Sequence, residues 1–264
     1  MVRRGKWAAT VVVVATLALA LLNAPPAGSA TRSRERARAR QLLPAVTTTS
    51  TSTSTTSTTT TLPPHDVTIP PIEGGLAPVV SRLRTTQPVV FLTIDDGAHR
   101  EPFELPLLQE NGLRATLFLA DSFIHRAFPF FVPFVAAGNP VENHSVSHRA
   151  MTRLSYDEQV REICGEADLL KTQFGRRPIF FRPPGGAYNT DTRRAAAACG
   201  MRAVVNWIAK ANAGRMEYQL ADHLRPGDIV LMHFRPEFRA DLAAFVDAAR
   251  AAGLRTELLV DWLE

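Results

Sequence analysis

The residues with the clearest capacity for chemistry are Asp95 and Asp96, adjacent carboxylates that close the apolar run at residues 89–94 and precede Gly97. Two ionised carboxylates at the end of a buried strand repel each other and lose hydration unless a cation or strong donors offset both costs. A metal site is the simplest remedy; an Asp-Asp-Gly turn that merely ends the strand is the plain alternative. Further along, His144 and His148 stand four apart in the stretch Asn143-His144-Ser145-Val146-Ser147-His148. One helical turn would set both imidazoles on one side, suited to a single divalent ion. Joined by a carboxylate they make a three-ligand set with positions left open for water and substrate, as catalytic zinc sites require.

Such a set needs a frame that gathers distant segments. From Ala77 onward, short apolar strands alternate with helical patterns, the mark of repeated βα units around a parallel sheet. Strands are expected at residues 89–94, 115–119, 140–143, 179–182, 203–207, 229–233 and 255–259. Helices are expected at 155–174, opened by a capping box of Ser155 and Glu158, and at 237–252. Seven strands in so short a span predict an α/β fold of one catalytic domain, a deformed barrel of the (β/α)7 type whose reactive groups lie at the C-terminal strand ends. Asp95, Asp96, the His144–His148 stretch, Arg182-Pro183-Pro184-Gly185-Gly186 and Leu231-Met232-His233 would then share one rim. Taken singly, Arg182 also fits a surface ion pair, His233 a strand-end histidine and Trp207 ordinary apolar packing. His99, His125 and His223 match none of these stretches and are expected at the surface or in the core.

Four ordered motifs carry a family resemblance: Thr93-Ile94-Asp95-Asp96-Gly97, His144-Ser145-Val146-Ser147-His148, Arg182-Pro183-Pro184-Gly185-Gly186 and Leu231-Met232-His233. Over about residues 88–264 the chain resembles the polysaccharide deacetylase (NodB homology) domain, carbohydrate esterase family 4. The resemblance implies a metal-dependent hydrolase that removes acetyl groups from N-acetylated sugars. It implies Asp96, His144 and His148 as ligands of one divalent ion, usually zinc, with Asp95 as base, His233 as acid and Arg182 orienting Asp95. The backbone N–H of Gly185 would help to hold the oxyanion, and Trp207 would line the rim. The chain departs from the family pattern in two places. Gly185 stands where the family usually has Tyr, with Tyr188 three residues on. After Trp207, where the family usually supplies Asp, the chain reads Ile208-Ala209-Lys210-Ala211-Asn212. Arg182 is therefore expected to lack the acidic partner that this position usually supplies. Lys210 either brings a positive charge toward Arg182 and Asp95 or points into solvent.

The first seventy or so residues do not read as globular. Arg3, Arg4 and Lys6 precede an apolar run from Trp7 to Leu22 and small residues ending at Ala30. That layout predicts a secretory signal peptide or signal anchor over residues 1–30 and a secreted or cell-surface protein. Residues 31–76 read as a disordered basic and Ser/Thr/Pro-rich linker, with an unbroken run of fifteen Ser and Thr from Thr47 to Thr61. The domain is expected at 77–264. The net charge of +5 comes from the first 40 residues, which hold eight Lys and Arg against one acid and leave 22 bases and 24 acids elsewhere. Nucleic acid is excluded as a partner on that distribution, despite a pI of 9.7. The expected partner is a polysaccharide bearing N-acetyl groups, met by a monomer with a membrane or wall tether at its N-terminus. Peptidoglycan leads, then chitin-type oligomers, then O-acetyl esters such as acetylxylan. A glycan-binding pseudoenzyme on the same barrel is the alternative from another class. A phosphoesterase finds less support, because no phosphate-cradling Gly-rich loop accompanies the motifs. Cys164 and Cys199, the only two cysteines, either pair as a disulfide after export or pack as two separate thiols.

Overall fold

The computed structural model describes residues 65–67 and 69–263. The expected signal segment and most of the expected linker lie outside the described residues. In chain order the strands are β1 (Val79–Val80), β2 (Val89–Asp96), β3 (Thr116–Leu119), β4 (Val141–Asn143), β5 (Phe180–Phe181), β6 (Ala203–Val205), β7 (Ala209–Asn212), β8 (Arg215–Tyr218), β9 (Ile229–His233) and β10 (Arg255–Glu257). The helices are α1 (Glu104–Glu110), α2 (Asp121–Ile124), α3 (Phe128–Ala136), α4 (Tyr156–Phe174), α5 (Thr190–Ala198), α6 (Phe238–Ala251) and α7 (Leu259–Leu263). The strands form one sheet in the order β1-β6-β5-β4-β3-β2-β9-β7-β8, with β10 pairing the start of β2. Every pairing between these strands is parallel except the β7–β8 hairpin. The sheet is curled rather than closed, since β1 and β8 end its path unpaired to each other, and it is the deformed α/β barrel the alternating pattern predicts.

The run Val89-Val90-Phe91-Leu92 has no polar alternation because β2 is covered on both faces. Val90, Leu92 and Ile94 pack with Phe131 and Phe134 of α3 and Phe238, Leu242 and Phe245 of α6. Val89 and Phe91 face the other way, toward Phe118, Phe180, Val205 and Ile229. Period-two alternation then sends Thr93 and Asp95 to that second face, where the polar layer of the site begins.

The long helix α4 starts where its sequence says it should. Ser155 caps it, accepting from the Glu158 N–H while the Glu158 carboxylate accepts from the Ser155 N–H. Gly175, with φ 80, ends it. Cys164 on α4 and Cys199 at the end of α5 form a disulfide. The packed region begins before the expected boundary at Ala77: Val67 and Ile69 lie against the core, the His65 ring stacks on Trp262 at 4.1 Å, and Asp66 accepts from Thr85 and Thr86. Val67 and Ile69 supply the apolar area that the Ser/Thr run lacks. Among the described residues no helix is long and apolar enough to cross a membrane.

Candidate metal centre and active site

Neighbouring residues of a strand ordinarily face opposite sides, yet Asp95 and Asp96 both approach one imidazole. Asp96 adopts φ 76, which breaks the alternation. Asp95 Oδ2 then lies 3.7 Å and Asp96 Oδ1 3.3 Å from His144 Nε2. Gly97 must follow, because with φ 75 a Cβ there would sit 2.6 Å from Ile124 and 2.9 Å from Phe131.

The His144–His148 segment is an irregular loop and not the single helical turn that the spacing of four predicts. The chain leaves β4 through an irregular loop in which Ser145 has φ 71 and His148 φ 56. Asn143 Oδ1 accepts from the Ser145 N–H at 3.0 Å, and Ser145 Oγ accepts from the His148 N–H at 3.0 Å. Side-chain acceptors thus replace the i to i−4 bonds of a helix. The result serves the same end, with the two rings 4.9 Å apart. His144 Nδ1 lies 2.8 Å from the Arg182 carbonyl, which only accepts, so this nitrogen carries the proton and Nε2 presents a lone pair.

Asp96 Oδ1, His144 Nε2 and His148 Nε2 converge, with the imidazoles 3.3 and 3.2 Å from the carboxylate oxygen. The three residues offer ligand atoms within 4.8 Å of one another. Asp96 Oδ1 is buried without a hydrogen-bond partner in good geometry. An orphaned buried oxygen facing two imidazole nitrogens is a donor set that fits a divalent cation. Burial works against ionising Asp96, yet the close imidazoles of His144 and His148, with His233 nearby, outweigh it and hold the carboxyl well below the usual carboxylate range. Burial also disfavours the charged form of His144, but Asp95 and Asp96 reverse this and raise its pKa.

Asp95 is held from the opposite side. Arg182 follows β5 with a fully buried side chain, and its Nη1 donates to Asp95 Oδ1 and to Thr93 Oγ1, each at 2.7 Å. Its guanidinium lies 4.1 Å from the Phe118 ring centre. The expected loss of an acidic partner is met by backbone: Arg182 Nε donates to the Val205 carbonyl at 3.2 Å and Nη2 to the Asn206 carbonyl at 3.3 Å. Burial lowers the guanidinium pKa, and Asp95 offsets part of that shift. Lys210 does not approach this pair as one expectation had it. It lies on β7 and pairs across the hairpin with Glu217 of β8 at 3.0 Å.

His233 ends β9 directly beside Asp95 in register. Gly185 lies in the turn after β5 with φ 64, and the space a Cβ would enter is open. Trp207 is half-buried over Gly186, whose carbonyl accepts from Asn206 Nδ2 at 3.1 Å. Tyr188 is exposed. His99 lies between Glu101 and Glu104, while His125 and His223 are largely exposed beside Asp121 and Asp222. Two residues of the site escape a search for reactive groups: Thr93, which also donates to the Val230 carbonyl at 2.7 Å, and Asn206. A lone hydroxyl two residues before Asp95, in an otherwise apolar strand, was the available signal for the first.

A family model described as polysaccharide deacetylase matches residues 82–204. An uncharacterized protein of Streptomyces coelicolor is 42% identical over 191 residues, covering 72% of this chain and 73% of that one. The peptidoglycan-N-acetylmuramic acid deacetylase PdaC of Bacillus subtilis is 32% identical over 133 residues, covering 50% of this chain but only 27% of that protein. Among solved structures, a CE4 family pseudoenzyme of Bacillus anthracis superposes with a TM-score of 0.63 at 22% identity, covering 70% of this chain and 69% of that one.

Proposed function

The chain belongs to the polysaccharide deacetylase family, and from that premise we propose that it is a metal-dependent hydrolase removing acetyl groups from N-acetylated sugars of a cell-wall or extracellular polysaccharide. One observation carries the reading: the convergence of Asp96, His144 and His148 on one point, beside an Asp95 fixed by a buried arginine. Bound there, a divalent ion, with zinc as the expected metal, supplies Lewis acidity to an acetamide carbonyl and lowers the pKa of water.

The chain's own groups divide the remaining work. Asp95, with Oδ1 bound to Arg182 and Oδ2 toward His144, takes a proton from the attacking water. The Gly185 N–H donates to the oxygen on which charge develops. As the carbon–nitrogen bond breaks, His233, beside Asp95 in register, gives its proton to the departing sugar amine, and acetate leaves. Peptidoglycan is the favoured substrate, supported by the likeness to PdaC, which bears that name for N-acetylmuramic acid, and by the tethering linker read from the sequence. Chitin-type oligomers and O-acetyl esters follow. Export through the N-terminal signal would bring the domain to that substrate.

The test is acetate release from N-acetylated glycans with and without added zinc, for the wild-type chain and for Asp95→Asn. Zinc-dependent release lost in the variant is the expected result. Glycan binding with no zinc-dependent release from any glycan would replace the enzyme with a binding protein on the same barrel.

A further inference from the structure

The loop that carries His144 and His148 has left-handed backbone at two non-glycine residues, so something outside it must hold it in place. Asn143 ties its start and Ser145 Oγ holds the His148 N–H at its end, as described above. Its middle, Val146 and Ser147, rests on one residue of α4. The Glu162 carboxylate accepts from the Ser147 N–H at 2.8 Å and from Ser147 Oγ at 2.5 Å, and the Glu162 carbonyl accepts from the Val146 N–H at 3.3 Å. The other side of the loop is pinned to α2, where the Ser122 N–H donates to the Val146 carbonyl at 2.8 Å.

The neighbours of Glu162 make α4 a firm seat. The Ile163 carbonyl accepts from Asn143 Nδ2 at 2.7 Å, Cys164 is bonded to Cys199, and a Cβ on Gly165 would meet Val146 at 3.4 Å. One turn of helix therefore faces the whole loop, and Glu162 is the only one of these residues that reaches its middle through an ionised side chain. Bonds to a carboxylate are about twice as strong as those between neutral groups.

We infer that Glu162 is a positioning residue that sets the metal affinity of the centre by clamping Val146–Ser147 and so fixing where His148 Nε2 points. This rests on the metal-dependent reading above. Ser147 is exposed, and Glu162 is the partner given for its N–H and Oγ; without the clamp the stretch between Val146, which keeps its backbone bonds, and His148, which keeps its bond to Ser145 Oγ, is looser, so His148 Nε2 is less firmly aimed at Asp96.

The experiment uses the full chain with Co2+ as probe, measuring affinity by competition with a chelator, the visible absorption of the bound ion, and the melting temperature of the metal-free protein. Glu162→Ala should weaken binding by about 10–100-fold, the range for residues that orient metal ligands, and should alter the spectrum while leaving metal-free melting nearly unchanged. Glu162→Gln, which keeps one acceptor, should recover part of the affinity, and Ser147→Ala should lose less than Glu162→Ala. Wild-type affinity and spectrum in Glu162→Ala would overturn the clamp alone. So would a drop in metal-free melting that accounts for the whole affinity loss with the spectrum intact. Should Glu162→Ala not fold, unchanged binding in both Glu162→Gln and Ser147→Ala has the same consequence. A wild-type chain that binds no Co2+ removes the metal-dependent reading and this inference with it.

Discussion

Arg182 and Asp95 meet at 2.7 Å with neither side chain appreciably open to solvent, 0% and 3% exposed. A buried pair of this kind contributes less by attraction than its rupture costs, because the survivor is left charged and dry. Arg182→Met, close in volume and apolar, should lower stability by about 3–5 kcal/mol and leave Asp95 free to swing. Turnover should fall by about 10²-fold or more, the usual contribution of a positioned base, with KM changed little. Arg182→Lys keeps the charge but cannot reach Asp95 and the Val205 and Asn206 carbonyls together, so it should fall between. Denaturant melts and steady-state rates on all three proteins check this; a fully active Arg182→Met would remove Arg182 from the mechanism.

If Asp96, His144 and His148 hold the ion, zinc must bind the folded chain better than the unfolded one and stabilise it accordingly. At a free concentration 100 times Kd the gain is about 2.7 kcal/mol. A chain of this size gains about 2–4 °C in Tm per kcal/mol. The shift should vanish with EDTA and in His148→Ala, which removes a ligand that is 30% exposed and therefore disturbs the core little. An equal zinc-induced shift in His148→Ala would place the ion elsewhere.

Glu166 gives the fold a pH dependence of known sign. It is fully buried on α4, and burial, with the charge of Asp121 adding to it, raises its pKa from 4.5 to about 9. Below 4.5 the carboxyl is protonated in both folded and unfolded chains. Between 4.5 and about 9 only the unfolded chain releases the proton, so stability falls as pH rises through that window and levels off above it. Glu166→Gln cannot ionise and should melt higher than wild type at pH values approaching 9, with the advantage shrinking to nothing below 4.5. Melting curves across that range read it directly. An advantage that does not depend on pH would mean that packing, not ionisation, sets the effect.

How far the sequence reaches is set by which forces act locally. All seven expected strands exist, with ends shifted by no more than two residues, because apolar runs between helical patterns report burial directly. The capping box of Ser155 and Glu158 was legible for the same reason, since both partners lie within one turn. The β7–β8 hairpin was not. Its turn sets Ala213 at φ 51 before Gly214 at φ 74, a conformation Ala disfavours, and distant partners hold it: Asp241 accepts from the Gly214 N–H and Arg235 donates to Asn212. The histidine loop shows the same limit. A spacing of four suggests a helical turn, but the backbone follows Asn143 Oδ1 and Ser145 Oγ instead. The backbone partners of Arg182 were hidden too, because the carbonyls of Val205 and Asn206 carry no side-chain signature.

That last point decides what Lys210 does. Its place in the sequence, where an acid is usual, suggested a charge beside Arg182 and Asp95, but in the fold its Nζ pairs with Glu217 Oε2 at 3.0 Å and the side chain is 39% exposed. An exposed pair across a hairpin is worth about 0.2–1 kcal/mol, and salt screens its field. Lys210→Asp should therefore leave the acidic limb of the kcat/KM profile where it was, since Arg182 already has its acceptors in Asp95, Thr93 and the carbonyls of Val205 and Asn206. Its effect should fall on the hairpin, where the new carboxylate would face that of Glu217 and destabilise by a similar fraction of a kcal/mol, recovered in the double variant Lys210→Asp with Glu217→Lys. A shift of the acidic limb in Lys210→Asp, with metal content equal to wild type, would show that the β7 charge reaches Asp95 and that the backbone carbonyls do not fully replace the missing acid.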